Sequence, residues 1–228
     1  MNFEQARFNM VEQQVRPWDV LDQQVLDVMG RVPREAFVPE KYQALAFADI
    51  NIPLGHDQVM MAPKVEGRLL QALAVHQSDS VLEIGTGSGY LTACLAALAN
   101  HVTSYEIHPD LSQAAGEKLT ANGCRNVTLI EGDAAGGIDS SNRYDVIAVT
   151  GTNGKTSVCQ FVAQALEGVS EEDVDTRRGG LGVAVGGQAV GPQGVHGDED
   201  HVRRPAATAR HVHRRRAPDR YSGASRRA

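Results

Sequence analysis

Apolar and polar positions in the first part of the chain recur at helical spacing. Phe3, Met10 and Val11 are compatible with one helical face, and Pro17 closes that segment. A second helix is predicted to begin after Asp19 as its N-cap and to end at Gly30. The buried positions expected in this helix are Val20, Leu21, Val25, Leu26 and Met29. The pattern therefore predicts a helical preface.

Farther along, short apolar runs bounded by turn residues are typical of buried strands. Such runs cover residues 81–84, 102–106, 127–134 and 144–151. The first is followed by a helical run at 91–98. Strands that alternate with helices predict an α/β fold with a parallel, doubly wound sheet.

The first strand runs directly into a turn that has glycine at every second position, Gly85, Gly87 and Gly89. Glycine allows positive φ and a close approach of the backbone to a ligand, so this turn indicates a nucleotide-cofactor site. A dinucleotide fingerprint requires a small residue where Tyr90 stands, which argues against a pyrophosphate here. The predicted cofactor contacts are Glu83, Gly85, Thr86, Gly87, Ser88 and Gly89.

The second strand ends in a carboxylate, Glu106, about 20 residues after the glycine turn. Doubly wound folds place the acceptor for the ribose hydroxyls at this point. We therefore predict that Glu106 binds the ribose of the cofactor.

Several motifs together carry a family resemblance. The string Glu-x-Gly-x-Gly-x-Gly at 83–89 resembles the cofactor loop of S-adenosylmethionine-dependent methyltransferases. The string Val-Pro-Arg-x-x-Phe-Val-Pro at 32–39 precedes it, with Asp49, Pro53, Gly55, Gln58 and Pro63 between. In this order the motifs resemble those of protein-L-isoaspartate O-methyltransferases, over about residues 1–151.

That resemblance implies a Rossmann-like fold and S-adenosylmethionine as cofactor. It also implies methyl transfer to the free carboxylate of isoaspartyl residues in damaged proteins. The third strand ends in Gly-Asp, and the resemblance implies that Asp133 and Ala134 contact adenine. A carboxylate is ionised at neutral pH, so this reaction needs positioning rather than a general base.

The segment before Pro63 departs from the family pattern. Family members usually carry Gln-Thr-Ile-Ser there, with the serine credited with a catalytic or substrate-orienting role, whereas this chain has Met61 at the serine position. A thioether cannot donate a hydrogen bond to a carboxylate. The catalytic candidates are therefore Met61, whose role the departure puts in doubt, together with Gln58 and His56.

A second glycine-rich segment follows the fourth strand. In a strand-turn-helix context its backbone would cradle phosphates at Gly154, Lys155 would reach them and Thr156 would ligate magnesium. The string Thr-Gly-Thr-Asn-Gly-Lys-Thr resembles the ATP loop of Mur ligases over about residues 149–166. An ATP-binding ligase fragment is therefore the alternative function, and an inactive composite that only binds cofactor is a third.

The composition changes after Gly168. Of the 22 basic residues, 11 lie beyond this point, all of them arginine, and Tyr221 is the only aromatic residue there. This stretch is expected to be disordered because it cannot bury enough apolar area to offset its ordering entropy. Arginine without lysine is typical of GC-rich DNA read out of frame. Our hypothesis is a composite reading frame, which sequencing across codons 149–170 tests.

The overall composition is that of a globular protein, with 42% hydrophobic and 22% charged residues. A net charge of -6 gives no general case for nucleic-acid binding. Cys94, Cys124 and Cys159 form no C-x-x-C pair, which favours a reducing compartment. With no signal-like start and no apolar run of about 20 residues, we expect a cytoplasmic protein without a membrane partner. The oligomeric state is left open.

These predictions divide the chain into four parts. Residues 1–78 form the helical and substrate-side region, and residues 79–151 form the cofactor-binding core. Residues 152–167 are the phosphate-loop-like helix, and residues 168–228 are the tail. The four predicted strands are fewer than the seven of a methyltransferase sheet, so the fold is expected to be incomplete at its C-terminal side.

Overall fold

The computed structural model describes residues 2–134, 138 and 144–150, and the backbone of residues 182–185. Its α-helices are α1 (Phe3–Met10), α2 (Gln23–Arg31), α3 (Arg34–Phe37), α4 (Pro63–Leu73), α5 (Tyr90–Leu98) and α6 (Pro109–Ala121). Its strands are β1 (Ile52–Gly55), β2 (Gln58–Met60), β3 (Ser80–Ile84), β4 (His101–Glu106), β5 (Val127–Glu131), β6 (Val146–Val149) and β7 (Gly182–Val185).

The central sheet is parallel in all its pairings, with strand order β5-β4-β3-β6-β7. The chain moves from β3 through β4 to β5 on one side and then returns to β6 on the other side. Ligand crevices of open α/β sheets form where the strand order reverses, outside the carboxyl ends of the strands. The predicted α/β Rossmann-like fold is therefore confirmed, and the glycine turn lies at the expected edge of the sheet.

The N-terminal preface is helical, but its second helix begins later than predicted. Asp22 is the N-cap, with its carboxylate accepting the backbone N–H of Gln24 at 2.8 Å. Asp19, the predicted cap, instead has a left-handed backbone with φ of 62°. Leu21 is 70% exposed, so its assignment to the buried stripe was wrong. The side chain of Gln71 accepts the N–H groups of Leu21 and Asp22, which ties this linker to α4 rather than into a helix.

The C-terminal end of α2 also differs from the prediction, which placed it at Gly30. α2 continues to Arg31, and the space around the position of a Cβ at Gly30 is open. The four predicted strands are present, although β5 ends at Glu131 and β6 spans only Val146–Val149. Gly132, beyond the end of β5, has φ of 154° and donates its N–H to the carbonyl of Glu106 at 2.9 Å.

The sheet has a fifth strand that the sequence analysis did not predict. β7 pairs in parallel with β6 over the register Val146↔Gly182 to Val149↔Val185. Its sequence, Gly-Val-Ala-Val, is a short run without apolar/polar alternation, so the periodicity of the sequence did not indicate a strand there. The expectation of a tail without strands was therefore wrong at 182–185. The other tail residues and the segment 152–167 lie outside the described residues.

Two apolar clusters cover the two faces of the sheet. Successive side chains of a strand point to opposite faces, and β3 follows this rule. Val81 belongs to the cluster shared with the preface, α4 and α5, whereas Leu82 and Ile84 belong to a second cluster. The preface packs closely on α4, since a Cβ on Gly67 would lie 2.7 Å from Cγ1 of Val15. The preface is thus part of the main core.

In the described part of the chain, none of the helices is both long enough and apolar enough to cross a bilayer.

Candidate cofactor and active site

The glycine turn has the backbone conformation that its sequence predicts. Gly85, Gly87 and Gly89 have φ of 100°, 55° and 83°, in the region that favours glycine. Two of these glycines are needed for different reasons. A Cβ on Gly89 would lie 3.2 Å from the Cβ of Ala115 in α6, whereas a Cβ on Gly87 would lie 3.3 Å from Cδ1 of Leu54. Gly89 therefore allows helix packing, and Gly87 keeps free the space beneath the β1–β2 hairpin.

Hydrogen bonds from the neighbouring strands hold the turn in place. The N–H groups of Gly85 and Thr86 donate to the carbonyl of Tyr105 at 2.8 and 3.3 Å. Thr150, just after β6, donates its hydroxyl to the carbonyl of Gly85 at 2.7 Å. The turn is thus fixed from both β4 and β6 before any ligand binds.

Glu106 lies at the end of β4 and is 5% exposed. One carboxylate oxygen accepts the N–H of Gly87 at 2.8 Å, and the other accepts the N–H of His108 at 3.1 Å. A carboxylate has about four acceptor sites, so acceptor capacity is left for a diol. The arrangement suits a ribose acceptor directly beside the glycine turn.

Glu83 has a different environment from Glu106. Its side chain is fully buried beneath the turn, where Oε2 accepts hydroxyl protons from Thr92 at 2.6 Å and Ser104 at 2.7 Å. Burial raises the pKa of Glu83 to about 7; the two hydroxyl bonds oppose this shift and the charge of Glu106 adds to it. Because Ser104 gives its single proton to Glu83, Thr86 donates to Ser104 in their 2.6 Å contact. This chain of hydrogen bonds lies under the turn rather than at its outer surface.

Two more predicted contacts also lie inside the turn. The hydroxyl of Ser88 accepts the N–H of Tyr90 at 3.2 Å at the start of α5. Ser88 is 7% exposed. Thr86 is 4% exposed and makes the Ser104 contact described above. The predicted cofactor residues therefore form two groups. Gly85, Gly87 and Glu106 border the crevice, whereas Glu83, Thr86, Ser88 and Gly89 support it.

Beyond β5, Asp133 is exposed while Ala134 is buried in the second apolar cluster. Ala134 packs there with Tyr105 and Val149 among others, so its side chain does not face solvent. The sequence analysis did not single out Ile107, which follows Glu106 and is 55% exposed. An exposed apolar side chain next to the ribose candidate is suited to packing against the face of a base. Its position immediately after Glu106 could have indicated it.

The three catalytic candidates all lie on or next to the β1–β2 hairpin. His56 and Asp57 form its turn with φ of 50° and 55°. The side-chain amide of Gln58 donates to the carbonyl of His56 at 3.2 Å. His56 is not a free loop side chain, because its Nε2 lies 2.9 Å from a carboxylate oxygen of Asp110 and its ring stacks on His108 at 4.1 Å.

Met61 follows β2, and its main chain is fixed by residues distant in sequence. The Nη2 of Arg34 donates to the carbonyl of Met61 at 2.6 Å, and the next amide, that of Ala62, donates to Asn51 at 3.0 Å. The side chain of Met61 is partly buried against the main core. The backbone at the family's serine position is therefore firmly held.

Arg34 is the centre of a buried polar group beneath this segment. It is fully buried, pairs with Glu66 through Nη1, and its Nε donates to the carbonyl of Ala46 at 2.8 Å. Its guanidinium also lies 4.8 Å from the ring centroid of Tyr90, the first residue of α5. Burial raises the pKa of Glu66 to about 7, and the charge and hydrogen bond of Arg34 oppose this shift. Arg34 thereby links the Met61 segment to the helix that follows the glycine turn.

The residues of the alternative ATP site, Gly154, Lys155 and Thr156, lie outside the described residues. Among residues 2–134, 138 and 144–150, no group of three or more His, Cys, Asp or Glu side chains is placed to hold a metal ion. The predicted site residues that the structure describes lie mainly at the glycine turn and at the β1–β2 hairpin above it.

Comparison with solved structures supports the same fold. The chain matches a structure described as a putative protein-L-isoaspartate O-methyltransferase from Plasmodium falciparum, in complex with S-adenosyl-L-homocysteine. The TM-score is 0.60 at 17% identity, covering 83% of this chain and 86% of that one. A second structure, described as a protein-L-isoaspartate O-methyltransferase, matches with a TM-score of 0.55 at 23% identity, covering 63% of this chain and 47% of that one. The fold and the glycine turn define the class, a Rossmann-like α/β fold of the methyltransferase type.

Within that class, the chain belongs to the protein-L-isoaspartate(D-aspartate) O-methyltransferase family, whose model matches residues 6–168. It is similar to protein-L-isoaspartate O-methyltransferase 2 of Anaeromyxobacter sp. (strain Fw109-5), with 43% identity over 57% of this chain and 54% of the relative. It is also similar to protein-L-isoaspartate O-methyltransferase 1 of Rhodopseudomonas palustris (strain HaA2), with 40% identity over 65% of this chain and 60% of the relative. The chain thus spans little more than half the length of these relatives.

The family match extends past residue 151, where the sequence analysis ended the resemblance. It covers the ligase-like string at 149–166 and stops at 168, the point at which the composition changes. The match gives no support to a separate ligase piece.

Proposed function

We propose that this chain transfers a methyl group from S-adenosyl-L-methionine to the free carboxylate of isoaspartyl residues in damaged proteins. The observation that carries the proposal is the hydrogen bond between Gly87 and Glu106 in a chain that belongs to this family. The N–H of Gly87 and the carboxylate of Glu106 are 2.8 Å apart at the carboxyl edge of the sheet. At Gly87 a ligand can approach the backbone closely, and beside it the carboxylate of Glu106 can accept hydrogen bonds from the two ribose hydroxyls.

The crevice residues fit such a cofactor. Gly87 leaves free the space that a Cβ would fill, and Glu106 would accept the ribose hydroxyls. Ile107 and Asp133 would contact the adenine, the first through apolar packing and the second through its carboxylate. Glu83, Thr86 and Ser88 would support the turn without touching the ligand, because their side chains are buried beneath it.

When bound, S-adenosyl-L-methionine would supply an activated methyl group on a sulfonium. A carboxylate oxygen of the substrate would form the new bond to the methyl carbon. The carbon–sulfur bond would break, its electron pair would stay on sulfur, and the products would be a methyl ester and S-adenosyl-L-homocysteine. No protein base is needed because the substrate carboxylate is ionised at neutral pH. The task of this chain is to align the reacting atoms, which can lower the barrier by several kcal/mol.

The hairpin and the segment after it would form the substrate side. Gln58 carries a side-chain amide that can donate to a carboxylate, and the Met61 main chain is held by Arg34. With methionine at the family's serine position, substrate orientation would rest on amide and backbone donors rather than on a hydroxyl. Cys94 and Cys124 are both unpaired, which suits a reducing compartment such as the cytosol.

The test has two stages. The first is calorimetric titration of the full chain with S-adenosyl-L-homocysteine, with ATP and magnesium as the comparison. Micromolar affinity for the first ligand, about -8 kcal/mol, is expected. The second stage is transfer of labelled methyl groups to an isoaspartyl peptide, with the same peptide carrying ordinary aspartate as the matched control. Binding without transfer to either peptide would contradict the proposed activity and favour a protein that only binds the cofactor.

A further inference from the structure

The β1–β2 hairpin lies across the glycine turn and is fastened at its far end. Leu54 in β1 is half-buried, and its Cδ1 lies 3.3 Å from the position of a Cβ on Gly87. Two residues later, His56 reaches the start of α6. The hairpin therefore spans from the turn that would hold the cofactor to the helix that follows the ribose acceptor.

The fastening at the tip consists of two contacts. The Nε2 of His56 lies 3.0 and 2.9 Å from the two carboxylate oxygens of Asp110. An ionised carboxylate only accepts hydrogen bonds, so Nε2 carries the proton and donates. The ring of His56 also stacks on that of His108, with centroids 4.1 Å apart and planes 9° apart.

This contact is connected directly to the ribose acceptor. His108 donates its N–H to Glu106 at 3.1 Å, and Glu106 accepts the N–H of Gly87 at 2.8 Å. One continuous set of contacts thus runs from the hairpin tip through the start of α6 to the glycine turn. The hydrogen bond from His56 lowers the pKa of Asp110, as does the backbone at the start of α6.

We propose that His56 is a positioning residue that, through Asp110 and His108, fastens the β1–β2 hairpin over the glycine turn and slows release of the bound cofactor. The inference rests on the proposed function because it assumes a cofactor at that turn. It assigns to the hairpin tip a role in retention, and it leaves the chemical step to other residues. Leu54 would form the cover itself, and His56 would hold that cover closed.

The test is a double-mutant cycle with His56→Gln, Asp110→Asn and the double variant. Labelled S-adenosyl-L-homocysteine is bound to the full chain, and its release is followed after dilution into unlabelled ligand. Each single variant should speed release by about two- to fivefold, as expected for a solvent-exposed contact between a histidine and a carboxylate. The double variant should release no faster than the faster single variant, since both changes break one contact.

Two further variants separate retention from general stability. His101→Gln is the matched control, because His101 contacts Thr128 at the amino end of β4, away from the crevice. It should leave release unchanged. Leu54→Ala should speed release while keeping the His56–Asp110 coupling. The thermal midpoint of the ligand-free protein should be the same for wild type, His56→Gln and Asp110→Asn.

The outcomes distinguish this inference from the proposed function. If the wild type binds tightly and the His56→Gln and Asp110→Asn variants release the ligand at the wild-type rate, the fastening role alone is overturned. Additive effects on the release rate in the double variant would also overturn it. So would a ligand-free thermal midpoint that is lower in the two single variants than in the wild type. A wild type that does not bind the ligand at all would overturn both the fastening role and the proposed function.

Discussion

The carboxylate of Glu106 accepts the backbone N–H of Gly87 at 2.8 Å across the carboxyl edge of the sheet. This bond joins the end of β4 to the turn after β3, so the predicted ribose acceptor and the close-approach glycine hold each other in position. A hydrogen bond to a charged acceptor contributes about 1.5–3 kcal/mol. The glycine turn and Glu106 are therefore held in the arrangement that the proposed cofactor site requires.

Glu106→Gln should weaken binding of S-adenosyl-L-homocysteine by about tenfold or more, because a neutral amide is a poorer acceptor for both Gly87 and a ribose diol. Glu131→Gln is the matched control. Glu131 is the register partner of Glu106 at the end of the adjacent strand, but it is exposed. Calorimetry measures both affinities. Equal affinities for the two variants would exclude Glu106 as the ribose acceptor.

Gly87→Ala should reduce cofactor binding by at least about tenfold, since its Cβ would enter the space beneath Leu54. Gly123→Ala provides a control with similar backbone strain, because Gly123 has φ of 76° and open space around the position of a Cβ. Both variants should lose about 1–2 kcal/mol of folding stability from the left-handed conformation. Only Gly87→Ala should lose affinity in a calorimetric titration, and a similar loss at Gly123 would point to strain alone.

Much of this site could be predicted from sequence because it depends on local order along the chain. A strand followed by glycines at alternate positions dictates the turn, and the spacing to the end of the next strand identifies Glu106. The different positions of the Glu83 and Glu106 side chains follow from the alternation of side chains along β3. Leu82 and Ile84 share one face of β3, so Glu83 must point to the other face, beneath α5.

Other features depend on contacts between distant residues, which periodicity does not encode. His56 and Asp110 are 54 residues apart, and nothing in the hairpin sequence indicates a partner on α6. Arg34 reaches Met61 and Glu66 in the same way, from 27 and 32 residues away. The strand at 182–185 was missed because a four-residue apolar run is too short to identify without knowing that it pairs with β6.

Glu83→Gln should flatten the pH dependence of folding stability. Burial raises the pKa of Glu83 from 4.5 to about 7, so the folded protein binds this proton more tightly than the unfolded chain. The resulting stabilisation is full below about pH 4.5 and is lost as the pH rises to about 7. Between pH 5 and pH 8 the free energy of unfolding, measured in urea, should fall by up to roughly 3 kcal/mol less in the variant than in the wild type. Glu131→Gln should retain the wild-type slope, and a Glu83→Gln slope that matches it would contradict the assignment.

Arg34→Met should destabilise the fold by about 3–5 kcal/mol, because it leaves Glu66 buried without its partner. Arg16→Met tests the same chemistry at the surface, where water screens the pair with Glu12 and its loss should cost far less than the loss of the buried pair. Urea unfolding measures both. Adding Glu66→Gln to Arg34→Met should recover part of the loss, whereas a further additive loss would show that the two side chains act independently.

Met61→Ser places a hydroxyl on a backbone that Arg34 already holds through the carbonyl of residue 61. If the chain acts on isoaspartyl carboxylates, the new donor should raise kcat/KM for an isoaspartyl peptide by about tenfold, the effect of one hydrogen bond to a charged group. Affinity for S-adenosyl-L-homocysteine should stay unchanged, since we propose that Met61 belongs to the substrate side of the site. Val59→Ser is the matched control, because Val59 is half-buried in the same hairpin and should not gain activity. Unchanged kcat/KM for Met61→Ser, with cofactor binding intact, would mean that the methionine is suited to an acceptor other than the isoaspartyl carboxylate.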